Sequence, residues 1–530
     1  MNRKLLLFIA NILGCCLLCA QSVEQVFHWQ NDFPLSVDYQ VFSEQNMQFV
    51  GGTFRTNFSN TTASHESLGG SDIFLTAMNA SGEIIWSKSG GSERNDLLEA
   101  MAYFDQYIFS TGTYWIEAQF DDLKLETSGS PQGIFLLQYD TTGNLIKGIT
   151  LNGNGNKEVH DLITDKDGNL LLAGSFSGNL EIGDTILSAA EEHFFLLKFD
   201  ASMNLLWAKQ ATKVAGQSKG IALATLANEQ IILAGNFLGT LIVGADSLTT
   251  DTEDEDIFLL SYTAAGEKLW LREAGGVFPS FVRDMVASEN EFWVGGNFRG
   301  RIELDDSFSI ESRGLNEDIF LLQYDRNGNN LFATPLGGAA TESISSLSIL
   351  EDQILIGGFF LDNFEMDNFR VEGDADSFDG FVLNYDTNSK KVDALKALPA
   401  DDNLFVKDIA FTANRQLSVI GDFIGTANLD NFTFTANTFN PFIAHLSNQN
   451  TAIEPSLSTS VIQIKTKQNW LNIISDFSIK SIEIYDLEGK LLAQNTGKSK
   501  ILIAQLASGI YAVKVLASTG VSSSALFFKD

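Results

Sequence analysis

Cysteine is confined to the first nineteen residues: Cys15, Cys16 and Cys19 are the only three in a chain of 530. If that segment is a leader, the mature chain has no thiol. This excludes disulfide staples, thiolate metal centres and cysteine nucleophiles, even though an exported chain could use disulfides. Histidine is scarce too, with five residues, His28, His65, His160, His193 and His445. None lies within five residues of another in an H-x-E-x-H or H-x-x-x-H arrangement, so a zinc centre is not expected. Lys and Arg number 34 against 67 Asp and Glu, for a formal charge of −33 and a pI near 4.4. That balance argues against nucleic acid or an anionic membrane surface as partner, since phosphate binding needs clustered cations. It suits a surface that keeps an exported protein soluble, with a field that attracts calcium or a cationic ligand as the alternative. Proline is scarce, at 7, and no amphipathic helix period is found. No apolar run beyond the leader is long enough to span a bilayer. The abundant residues are glycine, 44, and phenylalanine, 41.

The leader itself, "MNRKLLLFIANILGCCLLCAQS", has Arg3 and Lys4 as a basic start, an apolar stretch from Leu5 to Leu18, and Leu18-Cys19-Ala20 as a cleavage site. Residues 1–20 are therefore expected to be a signal peptide cut between Ala20 and Gln21. A lipoprotein reading of Ile12-Leu13-Gly14-Cys15 would leave Cys16-Leu17-Leu18 as an apolar opening to the mature chain, and is disfavoured for that reason.

The rest of the chain repeats. Aligning the aromatic of an apolar hexamer gives Phe74, Phe135, Phe195, Phe258, Phe320, Phe381 and Phe442, spaced 60 to 63 residues apart. A second marker, a glycine followed two residues later by an aromatic, recurs at Phe54, Tyr114, Phe176, Phe237, Phe298, Phe360 and Phe423. Two independent markers at one period define a repeat array. Within 156–209, "EVHDLITD" and "NLLLAGSF" flank the turn Lys166-Asp167-Gly168. A longer connection has its own hairpin at Gly183-Asp184, and "HFFLLKFD" and "NLLWAKQ" flank Ala201-Ser202-Met203. These are four strands with hairpin turns, apolar on both faces, so each sheet needs cover on both sides. Sheets of that kind stack radially, as in a β-propeller. The repeated glycine is expected to let neighbouring sheets approach closely.

The ends of the array suggest closure. "VEQVFHWQND", 23–32, matches the fourth-strand place held elsewhere by "IIWSKS" and "LLWAKQ", and the last repeat supplies only three strands. An N-terminal strand pairing with the C-terminal sheet would shut a ring and remove the exposed edge. The expected fold is all-β: a seven-bladed β-propeller at 21–448 closed by an N-terminal strand.

The pattern D-x-F-L-x-x-Y-D-x-x-G-N-x-x-W-A-K followed by "AGNF-x-G" resembles bacterial seven-bladed propeller repeats of secreted proteins over about 24–448. That resemblance implies a fold and leaves function open, because propellers host enzymes, adhesins and scaffolds alike. Residues 449–460, polar and containing Pro455, are expected to be a linker. Residues 461–530 break the period and read as a small β-sandwich, with hairpin signals at Glu488-Gly489, Ser508-Gly509 and Gly520. The hairpin "IYDLEGKLL", the pair "LASGIYAVKV" and the final strand with Lys529 resemble the C-terminal sorting domain of the Bacteroidetes type IX secretion system. The resemblance implies recognition by that machinery, passage across the outer membrane, and surface attachment or release.

No catalytic constellation stands out. The acidic run 251–256 and the pair Asp305-Asp306 are the only hints of calcium, and they lack the D-x-D-x-D-G loop, so solvated turns explain them better. "YDRNGN" and "TDKDGN" sit where hairpins need left-handed residues. "NGNGNK", 152–157, is a glycine-rich loop with no following helix. In a propeller the loops entering the first strands surround the channel, which would bring Arg94, Lys157, Lys219, Asp401 and Asp402 to one ring. Two function classes follow. One is a non-catalytic binding or adhesion protein for an extracellular glycan or protein, with no cofactor. The alternative is a polysaccharide-active enzyme with carboxylates dispersed around the channel, to be recognised by converging channel carboxylates with raised pKa values.

Overall fold

The computed structural model describes residues 23–446 apart from 29–34, 44–46, 251–253, 306–307, 315, 339, 367–368 and 413, and residues 463–529 of the tail apart from 468–469, 475–478, 486–489, 507–508 and 518–521. The cleavage pair Ala20 and Gln21, the linker 449–460 and Asp306 lie outside the described residues. Every described element is a strand. The strands fall into two compact units, one within Gln21–Asn448 and one within Gln449–Asp530.

In the larger unit one antiparallel pattern recurs. Leu35–Phe42, Gln48–Phe54, Asp72–Met78 and Ile84–Gly91 pair in chain order. Leu97–Phe104, Tyr107–Trp115, Gln132–Asp140 and Leu145–Leu151 do the same, and so do the four-strand groups beginning at Lys157, Lys213, Ser280 and Thr341. The last group, Leu404–Phe411, Leu417–Leu429 and Phe432–Leu446, takes its fourth strand from the other end of the chain, where Val23–His28 pairs antiparallel with Phe432–Leu446. The amide of Val23 donates to Asp430 Oδ2 at 2.6 Å, fixing the start of that strand. The first strand of each group lies beside the first strand of the next, and Leu404–Phe411 lies beside Leu35–Phe42.

Neighbouring groups are clamped by the fourth-strand tryptophans. The indoles of Trp86, Trp207 and Trp270 donate to the carbonyls of Thr141, Ala264 and Arg326 in the following group, at 2.9, 3.1 and 3.0 Å. Each ring lies over a turn glycine, Gly143, Gly266 or Gly328. In the "YDRNGN" turn, Asp325 Oδ1 accepts the amides of Asn327 and Asn329 at 2.8 and 2.9 Å while Gly328 takes φ +75°. The carboxylate is occupied by the turn itself.

Each first strand carries one extra residue in its pairing with the second, a β-bulge, at Asp38, Glu99, His160, Ile221, Arg283, Ser345 and Lys407. The bulge accounts for the repeated glycine. A Cβ on Gly52 would stand 1.8 Å from the carbonyl oxygen of Ser36, and the equivalent glycines meet the equivalent carbonyl just as closely. The glycine therefore serves its own sheet, making room for the carbonyl beside the bulge, and not the approach of neighbouring sheets expected from the sequence.

The smaller unit has two sheets. One holds Gln463–Lys467, Trp470–Ile474 and Lys500–Leu502; the other holds Leu491–Thr496, Ile479–Tyr485, Gly509–Ala517 and Ser522–Lys529. Leu471 and Ile501 from the first and Ile482, Ile484, Val513 and Val515 from the second share one buried core, which is a sandwich arrangement.

Candidate functional site: a cavity ringed by the bulged strands

The first strands line a half-open cavity of about 740 Å³. Its lining includes all seven bulge residues except that Ser345 and Ile221 bring no charge: Asp38, Glu99, His160, Arg283 and Lys407 supply the ionisable groups of that ring. One residue further along each strand stand Tyr39, Ala100, Asp161, Ala222, Asp284, Ser346 and Asp408, at intervals of 61 or 62 residues.

Three of these, Asp161, Asp284 and Asp408, reach across to the following first strand. Asp161 Oδ2 accepts the Leu223 amide at 2.7 Å, and Asp284 Oδ2 accepts the Leu347 amide at 2.6 Å. Asp408 Oδ2 accepts the Gln40 amide at 3.1 Å while its Oδ1 takes the Ser346 hydroxyl and the Ile409 amide, both at 2.7 Å. Each aspartate is thus a latch between neighbouring first strands. The third latch joins residue 408 to residue 40, from opposite ends of the unit.

Burial sets the protonation of the lining. It pushes Asp161 up to about 7, Asp284 up to about 8 and Asp408 up to about 6, opposed in each case by the amides they accept. Burial also pushes Glu99 up to about 8 and His160 down to about 4. At neutral pH Glu99 therefore holds its proton and His160 is an uncharged imidazole. Glu99 Oε2 and His160 Nε2 have no hydrogen-bond partner among the described residues. Burial, with Asp38 nearby, raises the Tyr39 phenol as well.

The loop residues chosen from sequence do not meet in this cavity. Lys157 is fully buried beneath its own glycine-rich loop, its Nζ donating to the carbonyls of Gln132, Gly153 and Gly155 at 3.2, 3.3 and 3.3 Å. The "NGNGNK" loop therefore wraps an internal ammonium, and burial lowers the pKa of that lysine to about 8. Lys219 bridges Glu158 and Glu192 at 3.1 and 3.5 Å. Arg94 and the pair Asp401 and Asp402 are exposed, and Asp401 accepts the Thr426 amide. The acidic run 251–256 is described only in part; within it Asp256 Oδ1 accepts the Gly276 amide at 3.0 Å, a structural bond. Among the described residues no group of three His, Cys, Asp or Glu is arranged to hold a metal ion, and no helix is long and apolar enough to cross a membrane. The latches had a readable signal, Val-x-Asp at 159–161, 282–284 and 406–408.

Residues 455–529 match the secretion system C-terminal sorting domain family. The chain is exported by the type IX secretion system to the cell surface or the extracellular space, and the tail engages that machinery. Over 211 residues the chain is 24% identical to the regulatory protein FlaEY of Caulobacter vibrioides, a match covering 38% of this chain and 22% of that protein. The chain thus spans about a fifth of that relative. Solved structures that overlap it include the Pyrococcus horikoshii acylaminoacyl peptidase, at TM-score 0.39, 10% identity, 83% of this chain and 57% of that one. An ulvan lyase overlaps at TM-score 0.40 and 10% identity, covering 74% and 93%. The phage phi92 endosialidase overlaps at TM-score 0.37 and 8% identity, covering 96% and 79%. No site is carried over from any of them.

Proposed function

We propose that residues 21–448 form a seven-bladed β-propeller closed by Val23–His28, and that the exported protein works at the cell surface as a non-catalytic binding protein for a glycan or protein ligand. The repeat count, the pairing of Val23–His28 with Phe432–Leu446 and the cycle of neighbouring first strands support the closed ring. The observation that carries the binding reading is the use made of the channel aspartates. Asp161, Asp284 and Asp408 each spend an oxygen on a backbone amide of the next strand, which supports a role in holding the ring rather than in chemistry. What remains at the cavity is a ring of polar groups with the cations Arg283 and Lys407, suited to recognition, and this reading calls for no cofactor. The test is a glycan and protein array probed with the mature full-length chain. Reproducible capture of a ligand, lost on Arg283→Ala, supports the reading, and an array without any specific signal refutes it.

One observation favours the alternative, a secreted polysaccharide-active enzyme. Glu99 keeps a proton near neutrality in the lining of the cavity, and a carboxyl protonated at working pH is what general acid catalysis requires. If the parent releases new chain ends from a polysaccharide and Glu99→Gln abolishes that release, the enzyme reading replaces the binding one.

A further inference from the structure

The repeat supplies its own control for features the fold does not need. Three residues before the hexamer phenylalanine, five repeats carry Ser71, Gln132, Glu192, Glu255 and Glu317, whereas the last two carry Phe378 and Phe439. Immediately before the second marker, five repeats carry Thr, Ser or Asn and the sixth carries Phe359; the first strand of the last repeat adds Phe405, at a place where the other repeats have no aromatic except Phe281 of the fifth. Sister repeats fold without these rings, so strand formation does not require them.

The four rings meet. Phe405 lies 5.0 Å from Phe359, 5.6 Å from Phe378 and 6.0 Å from Phe439, measured between ring centroids. Phe439, at the end of the row, is 42% exposed. With Phe405 it forms one wall of a groove of about 340 Å³ whose other residues are Ser36, Thr53, Arg55, Lys407 and Asp422. That is the small end of the range for ligand sites. The charges here run against those of the whole protein. Two cations, Arg55 and Lys407, face one lining carboxylate, Asp422, with Asp38 behind it on the same Ser36 hydroxyl at 2.6 Å, on a chain of net charge −33. That carboxylate is already engaged: Asp422 Oδ2 accepts the Ser36 hydroxyl at 2.6 Å, and Lys407 Nζ stands 4.0 Å from it. Arg55 is exposed and held through Nε to Ser71 Oγ at 3.0 Å, which leaves the guanidinium at the groove.

We propose that this groove is a sugar subsite that takes a pyranose bearing a carboxylate or sulfate, its C–H face stacked on Phe439 and its anionic group held by Arg55 and Lys407. The assignment rests on the binding reading above and gives it a ligand class. A pyranose offers weakly positive C–H groups to the negative face of an aromatic ring. A guanidinium matches a carboxylate or sulfate with paired donors, and an ammonium adds a point charge.

The test titrates the mature full-length chain with tetragalacturonate, with a 6-sulfated galactose tetramer, and with the neutral galactose tetramer. Binding is read by calorimetry and by saturation-transfer NMR. One or both anionic probes should bind at about 1 mM or below, which one binds distinguishing carboxylate from sulfate, and the neutral probe more weakly. Phe439→Ala should weaken binding about tenfold or more and Phe439→Trp should retain it, because the stacking face is kept. Arg55→Gln should remove the preference for the anionic probe while the melting temperature stays that of the parent. The proposal is overturned if neither anionic probe binds, if neutral and anionic probes bind alike, or if Phe439→Ala binds as the parent does. Capture of some other ligand by the parent, undisturbed by Phe439→Ala, would sink this subsite and leave the binding reading standing; no ligand of any kind would sink both.

Discussion

Replacing Asp408 by alanine removes the latch that joins the two ends of the large unit. Its carboxylate accepts the buried Gln40 amide, the Ser346 hydroxyl and the Ile409 amide. Each buried donor left without an acceptor costs about 1–3 kcal/mol. Against this, alanine relieves the desolvation of a carboxylate whose pKa is pushed up to about 6, a benefit of about 3 kcal/mol when the group is charged, by the conversion of about 1.4 kcal/mol per pKa unit. Two or three orphaned donors outweigh that relief, and a net loss of about 2–4 kcal/mol is expected at neutral pH. For a cooperative unit of about 430 residues, an unfolding entropy near 2.1 cal/mol/K per residue makes this a fall of about 2–4 °C. Asp408→Asn keeps one acceptor and supplies the sharper control, because it does not titrate. The stability that the raised pKa confers is lost progressively from about pH 4 to pH 6 and is gone by pH 8, so Asp408→Asn should be more destabilised relative to the parent at pH 5 than at pH 8. Scanning calorimetry of the three proteins at both pH values measures this. If Asp408→Ala melts with the parent, or the asparagine variant shows the opposite pH trend, the latch argument is wrong.

Three other perturbations have definite outcomes. Burial raises the carboxyl pKa of Glu99, Asp161, Asp284 and Asp408, so the folded state binds protons more tightly than the unfolded chain; the stability this confers is full below the ordinary carboxyl range and is lost as pH rises through 6 to 8. The melting temperature should therefore fall between pH 5 and pH 8.5, and Asp284→Asn should flatten the slope, whereas a flat parent profile contradicts the assignment. A mature chain beginning at residue 33 lacks the strand paired with Phe432–Leu446 and should melt lower and self-associate through the bared edge, as read by calorimetry and light scattering; a monomer melting like the parent rules out closure by that strand. A chain ending at Asn448 should keep the melting behaviour of the large unit yet stay in the periplasm of a host with type IX machinery, as judged by fractionation and surface-protease accessibility. Reaching the surface without 449–530 would mean the tail is not the address.

The strands, their order and the role of Val23–His28 were legible because each repeats or completes a pattern of apolar runs and turn residues at fixed intervals. The bulges were not. A bulge is one extra residue in a pairing; it slips the apolar alternation by one, as from Val406 to Ile409, and a slip of one residue is not distinctive until the partner strand fixes the register. Only with the partner strand in place does Gly52 show itself as the answer to the Ser36 carbonyl. Lys157 was misplaced for a related reason: a lysine in a glycine-rich loop reads as exposed, and its burial depends on three carbonyls that converge only when the chain folds. Glu99 was invisible because nothing in "LLEAMAYF" says that its carboxyl lacks water.

The bulge at one register position of every first strand has a further consequence. The extra residue lies outside the ladder, so its side chain is not answerable to strand pairing, and the chain has placed there an aspartate, a glutamate, a histidine, an isoleucine, an arginine, a serine and a lysine. The position after it is more restricted, holding Tyr39, two alanines, Ser346 and the three latch aspartates. The scaffold thus sets seven side chains of different chemistry around one cavity from one backbone position, though several also have partners nearby, Asp38 in Ser36 of its own strand, Arg283 in Asn297 and Lys407 in Asp422. A change of specificity would therefore be sought first at these positions, one side chain per repeat, with the backbone ladder left as it is.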